Sequence, residues 1–132
     1  MTRILAVQER QGYFVPLVTV KTAVLGVERE FTALVDSGAD YTMVPASLLA
    51  SYGVDVRNLP QIGWMIGANG TQVPMRRYSA DLWFRNRRFA TEVGVLPNLP
   101  RPIVGRGDFF QFFGVHFHWC VSPPAWCVIR VR

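Results

Sequence analysis

In the stretch VEREFTALV, residues 27–35, apolar and polar side chains alternate. Val27, Phe31, Ala33 and Val35 fall on one face of an extended chain, Glu28, Glu30 and Thr32 on the other, and Arg29 breaks the apolar row. A period of two belongs to a half-buried β-strand and gives a helix no coherent apolar stripe. The alternation recurs along most of the chain between clusters of Gly, Pro, Asn and Asp that mark turns. FVPLVTVKTAVL, Phe14 to Leu25, reads as a strand closed by a turn at Gly26. WMIGANGTQVPM sets Asn69-Gly70 between two semi-apolar arms, which predicts a hairpin with a type I′ turn, since that turn needs positive φ at both central residues. YSADLWF and FATEVGVL predict a further hairpin folded at residues 85–88, with Tyr78, Ala80, Leu82 and Phe84 sharing one face of its first arm. VHFHWC and CVIRVR, joined by a proline-containing turn, predict a last one.

Two short helices complete the expectation. PASLLASYG has Pro45 suited to a first helical turn and Gly53 to a C-terminal cap. GRGDFFQFFG places Phe109, Phe112 and Phe113 at i, i+3 and i+4, with Gly114 after them. The fold class expected is therefore all-β with one or two short helices.

A chain of 132 residues, half of them hydrophobic, suits one domain spanning residues 1–132 around one core. With only 17% charged residues, disorder is not expected. No apolar run approaches the roughly 18 residues of a membrane span, and the apolar stretch from Ile4 to Val7 is too short for a signal peptide. A cytoplasmic protein with no membrane association is the expectation. The net charge of +5 comes from thirteen arginines and one lysine, Lys21. Arginines at 76–77 and in RNRR, residues 85–88, could meet phosphates or acidic peptides, but without a nucleic-acid-binding motif solvated strand faces and turns are the favoured reading. Cys120 and Cys127 could face each other across a hairpin loop; two cysteines without a secretion signal are read as free thiols, and neither spacing suits zinc.

Within this β pattern one segment is odd. Asp36 follows Ala33-Leu34-Val35 and precedes an apolar run containing Tyr41, Met43 and Val44. A carboxylate in such company needs partners or a role. Asp36-Ser37-Gly38 at a strand end makes chemical sense as a catalytic aspartate loop: the acid supplies a carboxylate, the hydroxyl can tie the loop to a neighbour, and the glycine permits a tight turn and close ligand approach. Alone the tripeptide is weak, because turns are full of such residues. Other candidates carry bland readings. Arg106-Gly107-Asp108 spells an adhesion tripeptide, but Asp108 there suits an N-terminal helix cap. His116 and His118 share one strand face without a third ligand nearby in sequence. Trp64, Trp83, Trp119 and Trp126 are read as core or interface packing rather than base-stacking platforms.

Three segments in order, ALVDSGADYTMVP, MIGANGTQVPMRRY and PIVGRGDFFQFFG, resemble the active-site loop, the flap hairpin and the segment before the C-terminal helix of the retropepsin-like (retroviral-type) aspartic proteases, whose members include bacterial and cellular single-domain forms. The resemblance runs from about Phe31 to Gly114 and implies the retropepsin-like acid protease fold, a closed barrel-like domain with a flap hairpin. It implies that Asp36 is the catalytic aspartate, with Ser37 and Gly38 completing its triplet. It places Asp40, Val104 and the flap residues Ile66, Gly67, Ala68, Asn69 and Gly70 against substrate. It makes Ala39, Ile103, Gly105 and Arg106 the support of the site, with Arg106 pairing Asp40, the acid four residues after the catalytic one. A partly buried pair is expected. Asn69 stands where viral members often carry an apolar residue, Ser37 where threonine is commoner, and the tail from Val115 to Arg132 is longer than in the smallest viral forms.

The triplet occurs once, so the resemblance implies a homodimer in which two Asp36 carboxylates share a proton and activate water against an extended peptide. Neither metal nor organic cofactor is expected. Two rivals remain open at this point. One is a non-catalytic peptide-binding or dimerisation module of the same fold, which a polar flap tip would suit. The other is a basic nucleic-acid-binding β-domain, supported by charge alone.

Overall fold

The computed structural model describes residues 2–9, 11–66, 69–120 and 122–130. Among the described residues twelve strands follow in chain order: β1 (Thr2–Leu5), β2 (Val7–Gln8), β3 (Phe14–Val15), β4 (Leu17–Val24), β5 (Val27–Val35), β6 (Met43–Pro45), β7 (Gln61–Ile66), β8 (Gln72–Phe84), β9 (Arg87–Leu96), β10 (Ile103–Val104), β11 (Phe113–His118) and β12 (Ala125–Arg130). Helix α1 (Ala46–Ser51) and a short 3-10 turn (Val56–Asn58) lie between β6 and β7, and α2 (Phe109–Phe112) precedes β11.

Alternation makes the barrel. Along β4, Val18, Val20, Thr22 and Val24 are buried while the residues between them face water. Its pairing with β5 runs from Leu17↔Leu34 to Val24↔Val27, and the two-residue turn Leu25-Gly26 has positive φ at both positions, 50° and 79°, as a tight antiparallel hairpin requires. The main sheet runs β4-β5-β10-β6-β9-β8-β7. A short β4–β8 pairing, Lys21↔Trp83 and Thr22↔Leu82, joins its first strand to its sixth and closes the barrel, leaving β7 attached to β8 alone. The pairings β5–β10 and β6–β9 are parallel.

Inside sit Val18, Val20, Ala33, Val35, Leu82 and Val104 with an aromatic group of Phe84, Phe89, Phe109 and Phe113. Phe84 meets Phe109 and Phe113 edge-on at 5.5 and 5.1 Å, contacts worth about 0.5–1.5 kcal/mol each beyond their buried area. The arginine that breaks the β5 row finds an aromatic partner: the Arg29 guanidinium lies 5.0 Å from the Tyr52 ring centre. Burial pushes the Tyr52 phenol up, and the Arg29 charge opposes that rise.

A second, three-stranded sheet runs β1-β12-β11, with Trp126 of β12 fully buried. Of the four tryptophans only Trp126 is a core residue; Trp64 and Trp119 are exposed and Trp83 is half-buried. Cys120 is exposed, Cys127 is buried, and both are free.

Several expectations shift. Asn69-Gly70 is not a two-residue type I′ turn: the hairpin register closes at Ile66↔Gln72, which leaves more than two residues in the connection, and Gly70 has positive φ. Asn69 instead accepts the Thr71 amide on its side-chain oxygen at 3.0 Å, the local bond that lets asparagine stabilise turns. Gly67 and Ala68 lie outside the described residues. The arms VPM and YSADLWF are one continuous strand of 13 residues, β8, and the next turn is confined to Arg85-Asn86. Pro45 ends β6 and caps α1 in an extended conformation rather than entering the helix, while Gly53 closes it at φ 91°. The second helix is one turn: Phe113 already has strand geometry (φ −132°, ψ 127°), because it joins β11 in pairing with β12.

Candidate active site

Strand β5 delivers Asp36 to a place fixed from both sides. The Val35 amide donates to Pro16 O at 2.9 Å, the Leu34 amide to Pro102 O at 2.9 Å and the Asp36 amide to Val104 O at 3.1 Å. The chain then turns tightly, with the Ala39 amide donating to Asp36 O at 3.3 Å. The Gly38 amide donates to Asp36 Oδ1 at 2.8 Å, so one carboxylate oxygen is held by its own loop. A Cβ at Gly38 would come within 3.2 Å of that oxygen. Asp36 is half-buried while Ser37 and Gly38 are exposed. The apolar strand thus runs into an acid because the strand ends there, at the surface, with the carboxylate positioned by backbone.

A second loop braces the first. The Arg106 amide donates to Ala39 O at 2.9 Å and the Gly107 amide to Asp40 O at 2.8 Å. Approach at Gly105 is so close that a Cβ there would stand 2.6 Å from Tyr41 O and 2.8 Å from Ala39 O, so only glycine fits. Ile103 and Val104 extend the support, pairing in parallel with Leu34 and Val35. The Arg106 guanidinium does bond the Asp40 carboxylate, yet the two side chains are 58% and 70% exposed. The expected partly buried pair is a solvent-facing one: Asp40 lies on the outer side of the loop, and the inner contacts are made by backbone.

The buried acid of this region is Asp108. Its side chain accepts from Thr42 Oγ1 at 2.6 Å, Thr91 Oγ1 at 2.5 Å, the Phe109 amide at 2.6 Å and the Thr42 amide at 3.3 Å. Thr42, itself buried, also accepts the Gly105 amide at 3.4 Å. The cap expected at Asp108 is present, but it is one of four bonds. The signal for the rest was available: Asp108 abuts FFQFF and Thr42 sits inside an apolar run, both settings in which a polar group must find partners.

Ile66, Asn69 and Gly70 are exposed, and among the described residues none of their hydrogen bonds reaches the Asp36 loop. The base of the hairpin is anchored: Val73 and Met75 pack with Leu99 and Ile103 against Ala39, Met43 and Leu96. A groove of about 430 Å³, lined by Lys21, Thr22, Glu28, Trp83, Arg85 and Asn86, includes no site residue. Asp36 stands half-buried at the strand end, next to a loop whose Ala39 packs in an apolar cluster. One carboxylate can accept a proton from water or donate one to a carbonyl, but it cannot do both at once.

A family model for aspartyl proteases matches residues 19–106. Comparison with curated proteins yields no significant match. Among solved structures, the chain is similar to a retropepsin-like aspartic protease from Rickettsia conorii, with a TM-score of 0.69 at 16% identity, covering 98% of this chain and 99% of that one. It is also similar to the EIAV protease complexed with the inhibitor HBY-793, with a TM-score of 0.58 at 19% identity, covering 76% and 88% respectively. At such identities the likeness establishes the fold, which is retropepsin-like.

Proposed function

The chain belongs to the aspartyl protease family and is an aspartic-type peptidase, and from that premise we propose that it works as a homodimer with one Asp36 from each subunit forming the catalytic dyad. The observation that carries this reading is the placement of Asp36: a single half-buried carboxylate, held on one oxygen by Gly38, at the end of a strand fixed on both sides. A twofold axis beside the loop supplies the missing group. Two carboxylates about 3 Å apart share one proton and titrate as a unit.

In the proposed reaction the ionised Asp36 takes a proton from water as its oxygen attacks the peptide carbonyl carbon, and the protonated Asp36 of the second copy donates to the carbonyl oxygen. The tetrahedral intermediate then collapses, the C–N bond breaks, and the nitrogen leaves with a proton returned by the dyad. In this reading the Ser37 hydroxyl, exposed beside the acid, ties its loop to the second copy, and the Gly38 amide holds one oxygen of the carboxylate. Substrate lies extended between the β7–β8 hairpin and the Asp36 loop; Val104, fully buried in the core, supports that loop through its pairing with Val35 and does not meet substrate as expected. Met75, Val73, Leu99 and Ile103 make the surroundings apolar, which favours apolar substrate side chains.

Digestion of a peptide library by wild type and by Asp36→Asn, side by side, tests the proposal. Cleavage by wild type and none by the variant is the expected result; equal digestion by both, or by neither, overturns it.

A further inference from the structure

Asp108 is 5% exposed, and four donors converge on its carboxylate. These donors belong to three separate elements. Thr42 ends the loop that begins at Asp36, Thr91 lies on β9, and Phe109 opens α2. An ionised carboxylate accepts on both oxygens, and no neutral apolar side chain could tie three elements in this way. Thr42 passes the hold on, since its hydroxyl also receives the Gly105 amide from the bracing loop.

We propose that Asp108 is a positioning residue for Asp36, setting where the catalytic loop stands relative to the barrel. The proposal rests on the dimeric peptidase reading for its effect on rate. Asp108 does not touch the reacting atoms; it fixes Thr42, and with it the far end of the loop whose near end is Asp36. Twofold symmetry makes this hold count twice. Any displacement of the loop away from the axis is repeated in the second copy, so the gap between the carboxylates widens by twice the shift. The two proton affinities of a dyad are split by mutual repulsion, which weakens as the carboxylates separate.

Three variants test this: Asp108→Ala, Asp108→Asn, and Thr91→Val, which removes one donor on the β9 side and keeps the residue's volume. Two readouts are taken: amide hydrogen exchange over the whole chain, and the pH profile of kcat on a peptide that wild type cleaves. Exchange at residues 36–42 should rise about tenfold or more in Asp108→Ala, and less in Thr91→Val, while β4 and β5 keep their wild-type protection. The two limbs of the kcat profile should move closer together, with KM within about threefold of wild type, since substrate contacts are untouched. Asp108→Asn, which keeps a carbonyl acceptor and can donate to Thr91, should recover most of both. If Asp108→Ala fails to fold, Thr91→Val and Asp108→Asn decide. Exchange that is unchanged at 36–42, or raised evenly everywhere, overturns the proposal, as does a fall in kcat with an unaltered pH profile. If wild type cleaves nothing, the dimeric peptidase reading fails by itself and the exchange result still decides whether Asp108 holds the loop.

Discussion

Gly105 and Tyr41 stand so close that the space for a Cβ on Gly105 is already taken by the Tyr41 carbonyl, 2.6 Å away. The obstacle is backbone on an anchored loop, not the flexible end of a side chain. Gly105→Ala must push the loops apart, at about 1–3 kcal/mol for overpacking, with the Asp36 loop taking the displacement. The urea midpoint should fall and peptidase activity with it. A variant with wild-type stability and activity would show that the two loops are not in register as described.

Arg106→Ala should do little to an isolated chain. Both partners of the Arg106–Asp40 pair are more than half exposed, and such pairs contribute less than about 1 kcal/mol. The backbone bonds of residues 106 and 107 to the Asp36 loop do not need the guanidinium. Urea midpoints for Arg106→Ala and Arg106→Lys should both lie near wild type at protein concentrations where the chain is monomeric. A loss of several kcal/mol there would mean that the pair is shielded from water.

Mixing subunits probes the dyad. If catalysis needs Asp36 from both copies, specific activity falls on dilution through the dissociation range. Wild type refolded with increasing Asp36→Asn should then lose activity as the square of the wild-type fraction, because a mixed dimer holds one competent carboxylate. A linear dependence, or an active monomer, is the contrary result.

Truncation after Ser122 removes β12, the central strand of its sheet, and with it the fully buried Trp126. Loss of that side chain alone costs about 3–5 kcal/mol. The shortened chain should lose cooperative unfolding and activity together. A soluble, active product would count against β12 as a structural strand.

Where the sequence spoke through periodicity, it could be read. The alternation of Val18, Val20, Thr22 and Val24 or of Tyr78, Ala80, Leu82 and Phe84 follows from burial of one strand face, a property of neighbouring residues. The same holds for Asp36, which stands out because apolar runs flank it on both sides. Features made by distant residues were not legible. Nothing local says that Phe113 leaves its helix, because its place is set by pairing with Arg130. Nor does anything local bring Asp108 to Thr42 and Thr91, or turn the Asp40–Arg106 pair outward. The Asn69-Gly70 turn misled because register, fixed by Ile66↔Gln72, overrode the preference of a dipeptide.

The β1-β12-β11 sheet carries a consequence for the timing of activity. Strand β12 is flanked on both edges by strands of its own chain, so no edge of it waits for a visitor. In the dimer proposed above, such a subunit would join its twin by outer edges or faces, without unthreading β12. For the enzyme proposed here, the appearance of activity would be second order in subunit concentration and as reversible as any collision complex. Newly made chains, still scarce, would be harmless to their neighbours, and abundance itself would be the trigger.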